Sequence, residues 1–139
     1  MASLFDLICF SHLRWDFVYQ RPNHLMSRWA QERRVFFIEE PLPDGEIATP
    51  TLALRHDGLL TIVTPHLPTA VYGSTQQPAI LQELLDNLIE RYAIEMYACW
   101  YYTPMALAFS RHLQPIVTIY DCMDELSAFA EAPPNHACL

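Results

Sequence analysis

Five short runs of apolar residues punctuate the chain, and each has the length of a β-strand. Almost no polar residue interrupts them, which is typical of parallel strands that are covered on both faces. Apolar residues at helical spacing follow several of these runs and indicate amphipathic helices between the strands. The runs that we predict as strands are residues 5–10, 35–38, 59–63, 96–101 and 116–120.

The spacing of apolar residues also predicts the helices. The first helix should begin after Arg21 and Pro22, because proline is favoured in the first helical turn. A short third helix should start at Pro104, with Thr103 as its cap. The second helix has the clearest apolar stripe of the sequence, made of Ile80, Leu81, Leu84, Leu85, Leu88, Ile89 and Tyr92.

The alternation of strands and helices predicts an α/β fold. Such strands pair in parallel through right-handed crossovers and place helices on both faces of the sheet. We therefore predict one Rossmann-like domain over residues 1–139 with a mainly parallel sheet. A hairpin is expected around residues 56–58, and two prolines in residues 64–68 are expected to end its second strand. A brief helical turn is predicted at residues 121–126.

Charge and motif content narrow the functional classes. The formal net charge of −8 repels nucleic-acid phosphates, so we expect no nucleic-acid partner. The sequence has no metal-ligand spacing and no glycine-rich phosphate loop, so we expect neither a metal site nor a cofactor. The four cysteines are far apart, and we interpret them as mostly buried thiols of a reducing cytoplasm; they are Cys9, Cys99, Cys122 and Cys138.

The chain is rich in apolar residues, at 52% against 17% charged residues. No apolar run approaches the ~20 residues that a membrane-spanning helix needs, so we expect a cytoplasmic protein. This composition favours a packed globular domain over disorder, and the apolar surplus is also compatible with a surface that something else covers. Self-association and peripheral contact with the inner face of the membrane are both compatible with it.

The first candidate site is the loop of residues 11–20, because ligands of open α/β sheets bind at the carboxyl ends of strands. This loop has three aromatic residues and no glycine, so it is not a phosphate cradle. Its side chains suit a sugar or lipid-linked acceptor; those concerned are Trp15, Tyr19, Gln20 and Arg21. Alternatively, its aromatic residues Trp15, Phe17 and Tyr19 form a lid over the sheet without a ligand. His12 is a candidate for proton transfer or an ordinary hydrogen-bonded surface residue.

Acidic residues end two of the predicted strands. Glu39 occupies the position at which dinucleotide-binding folds hold a ribose hydroxyl, although a solvated strand end is the favoured interpretation. Asp121, Asp124 and Glu125 follow the last predicted strand. They could act as a base or orient hydroxyl groups, and for Asp124 capping of the next helix is the favoured role.

Four separated motifs resemble a known family. The chain is similar to the amino-terminal half of bacterial glycosyltransferases of the GT-B type, in the branch of teichuronic acid and exopolysaccharide enzymes. The similarity spans almost the whole chain. Its motifs are Ser11-His12 with Trp15-Asp16-Phe17-Val18, Gln20-Arg21-Pro22 and His24-Leu25; Glu39-Glu40-Pro41; residues 100–104; and residues 120–126.

The resemblance implies an acceptor-side domain whose five predicted strands lie in the order three, two, one, four, five. A second domain, not found in this sequence, would hold the nucleotide sugar, so we expect nucleotide-sugar binding only with that domain. The residues after Phe129 read as an abrupt end, and we expect a truncated chain. With the resemblance, the candidate catalytic residues are Asp121 and Asp124. The candidate substrate-binding residues are His12, Trp15, Tyr19, Gln20, Arg21, Glu39 and Glu125.

Three functions stay open at this point. The first is the acceptor half of a glycosyltransferase in surface polysaccharide synthesis, inactive by itself. The second is a non-catalytic binding or partner module of the same fold. The third is a small NAD-type Rossmann enzyme, which Glu39 alone supports.

Overall fold

The computed structural model describes residues 5–16, 21–121 and 137–138. Within this part of the chain, eight strands form one sheet. The strands are β1 (Asp6–Phe10), β2 (Val35–Ile38), β3 (Leu42–Pro43), β4 (Thr51–Asp57), β5 (Leu60–Leu67), β6 (Tyr97–Tyr101), β7 (Val117–Tyr120) and β8 (Ala137–Cys138). The helices are α1 (Arg21–Trp29), α2 (Gln77–Arg91) and α3 (Leu107–Ser110), with a 3₁₀ turn at Pro104–Ala106 before α3.

The sheet has the predicted architecture. Its strands follow the order β3-β5-β2-β1-β6-β7-β8, and β4 also pairs with β5. Every pair is parallel except β4 with β5, which forms the predicted hairpin. The five strands predicted from apolar runs correspond to β1, β2, β5, β6 and β7, and their predicted order is confirmed. A Rossmann-like α/β fold with a mainly parallel sheet is therefore the fold of this chain.

Helices cover both faces of the sheet, as predicted. Alternate residues of a strand point to opposite faces, so β1 contributes Ile8 and Phe10 to one core and Leu7 and Cys9 to the other. The first core packs under α2 and α3, through residues such as Leu85, Leu88 and Leu107. The second core includes Met26 of α1, which is fully buried. We call these two sides the α2–α3 face and the α1 face.

Strand β5 continues through Pro65, so the prediction that two prolines end it is wrong. The carbonyl groups of Val63 and Leu67 accept hydrogen bonds from the N–H groups of Glu39 and Asp44, at 2.9 and 2.8 Å. Pro65 lies midway between them and, by the two-residue alternation of a strand, faces the same side. There the chain has left β2 and has not yet begun β3. The missing N–H group of the proline therefore faces a gap in the hydrogen-bond ladder, and no bond is lost.

The predicted cap of the third helix is confirmed. Thr103 has extended backbone angles, and its Oγ1 accepts a hydrogen bond from the Met105 N–H at 3.2 Å. Pro104 then occupies the first turn, where its lack of an N–H group costs nothing. This short connection holds the chain close to the carboxyl end of β6.

Two cysteine thiols lie in the middle of the sheet. Cys9 and Cys99 are completely buried on neighbouring strands, as interpreted from the sequence. Burial, followed by the nearby Asp121 carboxylate, raises the pKa of Cys9 well above 9.0, and burial raises the pKa of Cys99 to about 12. Of the other two cysteines, Cys122 lies outside the described residues, and only the backbone of Cys138 is described.

These thiols predict a loss of stability at alkaline pH. The folded chain retains protons that the unfolded chain loses above pH 9, so the stabilisation is complete below pH 9 and falls as the pH rises further. At pH 10 each thiol should lower the free energy of unfolding by about 1.4 kcal/mol relative to pH 8. Urea unfolding at the two pH values measures the difference. In Cys99→Ala, the free energy of unfolding should fall less between pH 8 and pH 10 than in the parent. An equal fall would contradict a raised pKa of the Cys99 thiol as its cause.

The predicted helical turn at residues 121–126 lies outside the described residues, apart from Asp121. Within the described part of the chain, no helix combines the length and apolar character needed to cross a membrane.

Candidate functional site

Buried polar side chains collect at the carboxyl edge of the sheet. Ser11, Glu39 and Asp121 each follow the last residue of a parallel strand, and Thr103 comes two residues after β6. Their exposed fractions are only 2, 8, 0 and 6%, respectively. Burying polar groups is costly unless they are hydrogen-bonded, and this edge is where open parallel sheets bind ligands. The structure thus brings two of the predicted site residues, Glu39 and Asp121, to the edge at which a site was expected.

Glu39 is buried and joins three parts of the chain. Its Oε2 accepts a hydrogen bond from the Trp15 N–H at 2.7 Å, and its Oε1 accepts one from the Thr64 hydroxyl at 2.6 Å. The Arg14 guanidinium lies 3.5 Å from Oε1. The interpretation of Glu39 as a solvated strand end is therefore wrong, whereas its neighbour Glu40 is exposed. The reason is that β5 and the loop after β1 close over the end of β2 and supply donors for the carboxylate.

Further hydrogen bonds anchor the loop after β1, which we call the β1–α1 loop; its described part is residues 11–16. The Arg14 Nη1 donates to the Glu40 carbonyl at 2.6 Å, and the Asn23 Nδ2 of α1 donates to the Trp15 carbonyl at 2.8 Å. From the edge hairpin, Arg55 donates to both Asp16 carboxylate oxygens, at 2.5 and 2.8 Å. This Arg55 contact lowers the pKa of Asp16. The described part of the loop is thus tied to β2, β4 and α1.

Trp15 packs on the sheet from the α1 face. Its ring meets Phe37 edge to face, with 5.0 Å between ring centroids, and the side chain is partly buried. This contact agrees with the interpretation of Trp15 as part of a lid over the sheet. Its predicted role in binding an acceptor stays a prediction.

Asp121, one of the two candidate catalytic residues, is completely buried. Its N–H donates to the Tyr101 carbonyl at 2.9 Å, which continues the pairing of β6 and β7 by one residue. The carboxylate is close enough to Cys9 to contribute to the raised pKa of that thiol. Its catalytic role stays a prediction.

The other predicted site residues are placed less completely. His12 is half-buried in the β1–α1 loop. Arg21 begins α1, and its side chain is not described. Tyr19, Gln20, Asp124 and Glu125 lie outside the described residues, so their predicted roles stay predictions.

A pocket of about 420 Å³ opens at the same edge of the sheet, on the α2–α3 face. Its floor is apolar and includes Phe10, Ile38, Leu81 and Phe109. Its polar groups come mainly from the ends of β1, β2 and β6 and from the start of α2; they are Ser11, Arg14, Glu39, Glu40, Ser74, Gln77 and Thr103. An apolar cavity of this size with a few convergent polar groups is typical of small-molecule sites.

Of the predicted site residues, Glu39 lines this pocket, while Trp15 packs on the opposite face of the sheet. Sequence reasoning missed Ser11 and Thr103 as site residues, although both lie within the motifs that carry the family resemblance. It could not have found the contribution of residues 72–74, because that loop has no periodic pattern and reaches the pocket only through the packing of α2.

Comparison with known proteins places the fold. No protein-family model matches the sequence, and no curated protein matches it. Among solved structures, the chain is similar to alpha,alpha-trehalose 6-phosphate synthase from Burkholderia multivorans, with 15% identity and a TM-score of 0.53 over 96% of this chain and 36% of that one. It also matches an alpha,alpha-trehalose-phosphate synthase (UDP-forming) from Burkholderia xenovorans in complex with glucose-6-phosphate, with 14% identity and a TM-score of 0.48 over 83% of this chain and 32% of that one. The chain thus spans about a third of the length of these proteins, and at such identity the likeness concerns the fold alone. The chain therefore shares a Rossmann-like α/β fold with the matched part of the Burkholderia multivorans structure.

Proposed function

We propose that this chain is the acceptor-side half of a glycosyltransferase that transfers a sugar from a nucleotide sugar. The observation that carries the proposal is a 420 Å³ pocket at the carboxyl edge of a GT-B-like sheet, bordered by buried polar side chains. Surface polysaccharide assembly is the proposed setting, and the family resemblance of the motifs is its support. The proposed partners are a sugar or lipid-linked acceptor at this edge and a nucleotide-sugar domain that completes the site.

The pocket contains the groups that an acceptor sugar requires. Hydroxyl groups of a sugar exchange hydrogen bonds with side chains such as Ser11, Arg14 and Thr103, while the apolar faces of the ring pack on Phe10 and Phe109. A deprotonating group must then act on the attacking hydroxyl. The proposed candidates for that step are Asp121 and Asp124. Asp121 follows β7 at the same edge of the sheet but does not line the pocket, so the proposal requires the attacking hydroxyl to extend beyond the pocket.

The donor side of the reaction needs positive charge, because a nucleotide diphosphate leaves as an anion. Among the described residues, Arg14 is the one cationic side chain that lines the pocket, and it already contacts Glu39 and the Glu40 carbonyl. We therefore propose that the 139 residues by themselves bind acceptor without transferring sugar. In the proposed complete enzyme, a second domain stabilises the leaving group.

The NAD-type alternative is weakened by the position of Glu39. A ribose-binding acid needs to accept hydrogen bonds from the ribose, but both oxygens of Glu39 already accept from Trp15 and Thr64. The described part of the β1–α1 loop also lacks the glycines that a dinucleotide pyrophosphate requires.

Filling the pocket tests the proposal. Ala108 lines the pocket from α3 and is exposed, so Ala108→Trp should occupy the cavity without disturbing the core. We expect hexoses and simple glycosides to bind the parent chain weakly and Ala108→Trp to reduce that affinity at least about tenfold, since a tryptophan displaces most of the ligand volume. Protein-detected NMR titration measures both affinities.

The matched control is Ala79→Trp, at an exposed position of α2 outside the pocket lining, which should bind as the parent does. Sugar binding that Ala108→Trp leaves unchanged would contradict the proposed site. Sugar transfer by the isolated chain that is lost in Asp121→Asn would contradict the proposal that transfer requires a second domain. Tight NAD binding would favour the dinucleotide alternative.

A further inference from the structure

The charges around the pocket limit which acceptor groups can enter it. In the part of the chain that the structure describes, the lining has one arginine, Arg14, and two glutamates, Glu39 and Glu40, and therefore a formal net charge of −1. The Arg14 Nη1 is already shared between the Glu40 carbonyl at 2.6 Å and the Glu39 carboxylate at 3.5 Å. The formal net charge of the whole chain, which includes this local excess, is −8. An anionic ligand therefore meets repulsion that the single arginine does not offset.

The start of α2 borders the pocket, but its N–H groups are mostly used within the chain. The Gln76 N–H donates to the Ser74 hydroxyl at 3.2 Å, and the Gln77 N–H donates to the Ser74 carbonyl at 3.2 Å. Pro78 has no N–H group, and the Ile80 N–H donates to the Gln76 carbonyl. A helix start binds phosphate through free N–H groups in its first turn. This one is poorly suited to that task.

The rim of the pocket is apolar. Leu42, Tyr72 and Met105 border it and are exposed by 37, 44 and 71%, respectively. They continue the apolar floor outward to the surface. Large exposed apolar side chains around a concave site favour a ligand with an apolar part of its own.

We infer that the acceptor group that enters this pocket is uncharged and has an apolar portion, as in an alkyl or aryl glycoside, and that sugar phosphates are disfavoured. This inference rests on the proposed function and specifies the class of its acceptor. The polar side chains hold the sugar hydroxyls, and the apolar portion packs between Tyr72 and Met105. The preference differs from what the names of the similar solved structures suggest, since both are named as synthases of trehalose phosphate.

The test compares phenyl glycosides with the 6-phosphates of the same hexoses, for glucose, galactose and mannose. Each is titrated into the 139-residue chain at low ionic strength and followed by NMR. For at least one hexose, the phenyl glycoside should bind about tenfold more tightly than its 6-phosphate, because it gains apolar contact and avoids charge repulsion. Tighter binding of the 6-phosphates would overturn the inference and leave the proposed function intact. Failure of every sugar to bind, or binding that Ala108→Trp leaves unchanged, would overturn the proposed function as well.

A charge placed on the rim provides a second test. Met105→Lys should reduce the ratio of the affinity for the phenyl glycoside to the affinity for the 6-phosphate of the same hexose about threefold to tenfold. The substitution removes an apolar contact for the phenyl group and adds a cation that attracts the phosphate. Met96→Lys is the matched control, since Met96 is 54% exposed and precedes β6 at the opposite edge of the sheet. Equal effects of the two substitutions would show a response to net charge alone and would overturn the assignment of Met105 to the site.

Discussion

Phe37→Ala should lower the free energy of unfolding by about 3–5 kcal/mol, the usual cost of truncating a buried phenylalanine. Phe37 is 1% exposed and lies in the core of the α1 face. Its ring also supports Trp15, so the variant loses an aromatic contact of about 0.5–1.5 kcal/mol within that total. A typical domain has a stability of only about 5–15 kcal/mol, so the loss should be large enough to measure directly. Urea denaturation of parent and variant gives the value.

Two comparisons sharpen this result. Phe37→Leu keeps much of the buried volume and should cost clearly less than Phe37→Ala. Leu59→Ala, at a position that is 44% exposed, should cost less than about 1 kcal/mol. If Phe37→Ala cost as little as Leu59→Ala, the packing of the α1 face described above would be wrong.

Glu39→Ala should lower the free energy of unfolding by about 2–4 kcal/mol. The substitution leaves the Trp15 N–H and the Thr64 hydroxyl without their acceptor, and a buried unsatisfied donor costs about 1–3 kcal/mol. Both residues are partly buried, so water reaches them in part and the combined cost stays below two full penalties. Arg14 loses its carboxylate neighbour as well, which adds little because that side chain is one-third exposed. Thermal and urea unfolding measure the effect, and hydrogen exchange of the Trp15 amide should become faster.

The sequence supplies a matched control next to this residue. Glu40 is exposed and takes part through its backbone carbonyl, so Glu40→Ala should change stability by less than about 0.5 kcal/mol. The loss of unfolding free energy in Glu39→Gln should lie between the losses in Glu39→Ala and Glu40→Ala. The amide oxygen of the glutamine still accepts one hydrogen bond, whereas its amide nitrogen is a donor in place of the second acceptor. Equal stability of the Glu39 and Glu40 alanine variants would show that Glu39 does not anchor the β1–α1 loop.

These contacts relate the loop to the pocket. Glu39 lines the pocket on the α2–α3 face and, through Trp15, fixes a loop whose tryptophan packs on the α1 face. A change in the loop is therefore coupled to the polar border of the pocket by one buried carboxylate. In the proposed function, this side chain serves acceptor binding mainly by positioning its neighbours.

The sequence by itself determined the fold class and the main elements. The apolar runs at β1, β2, β5 and β6 are buried almost throughout, and burial on both faces is what removes polar residues from such strands. The run at β7 was equally apolar, although Val117 is 45% exposed and only Tyr120 of this strand is buried. The stripe of α2 was equally clear, since one face of a helix must pack on the sheet. The order of the central strands came from the family resemblance, because apolar runs do not record which strands become neighbours.

Only the tertiary structure decided how the site is built. Pro65 looks like a strand breaker in the sequence, yet it lies in β5 because its missing N–H faces the gap between β2 and β3. Glu39 looks like a solvated strand end, yet donors that lie 24 and 25 residues away in the chain cover it. The pocket likewise combines the ends of strands with the start of α2 and residues 72–74. Local pattern reports which residues are buried, whereas the partners of a buried polar group come from distant segments that only the folded chain brings together.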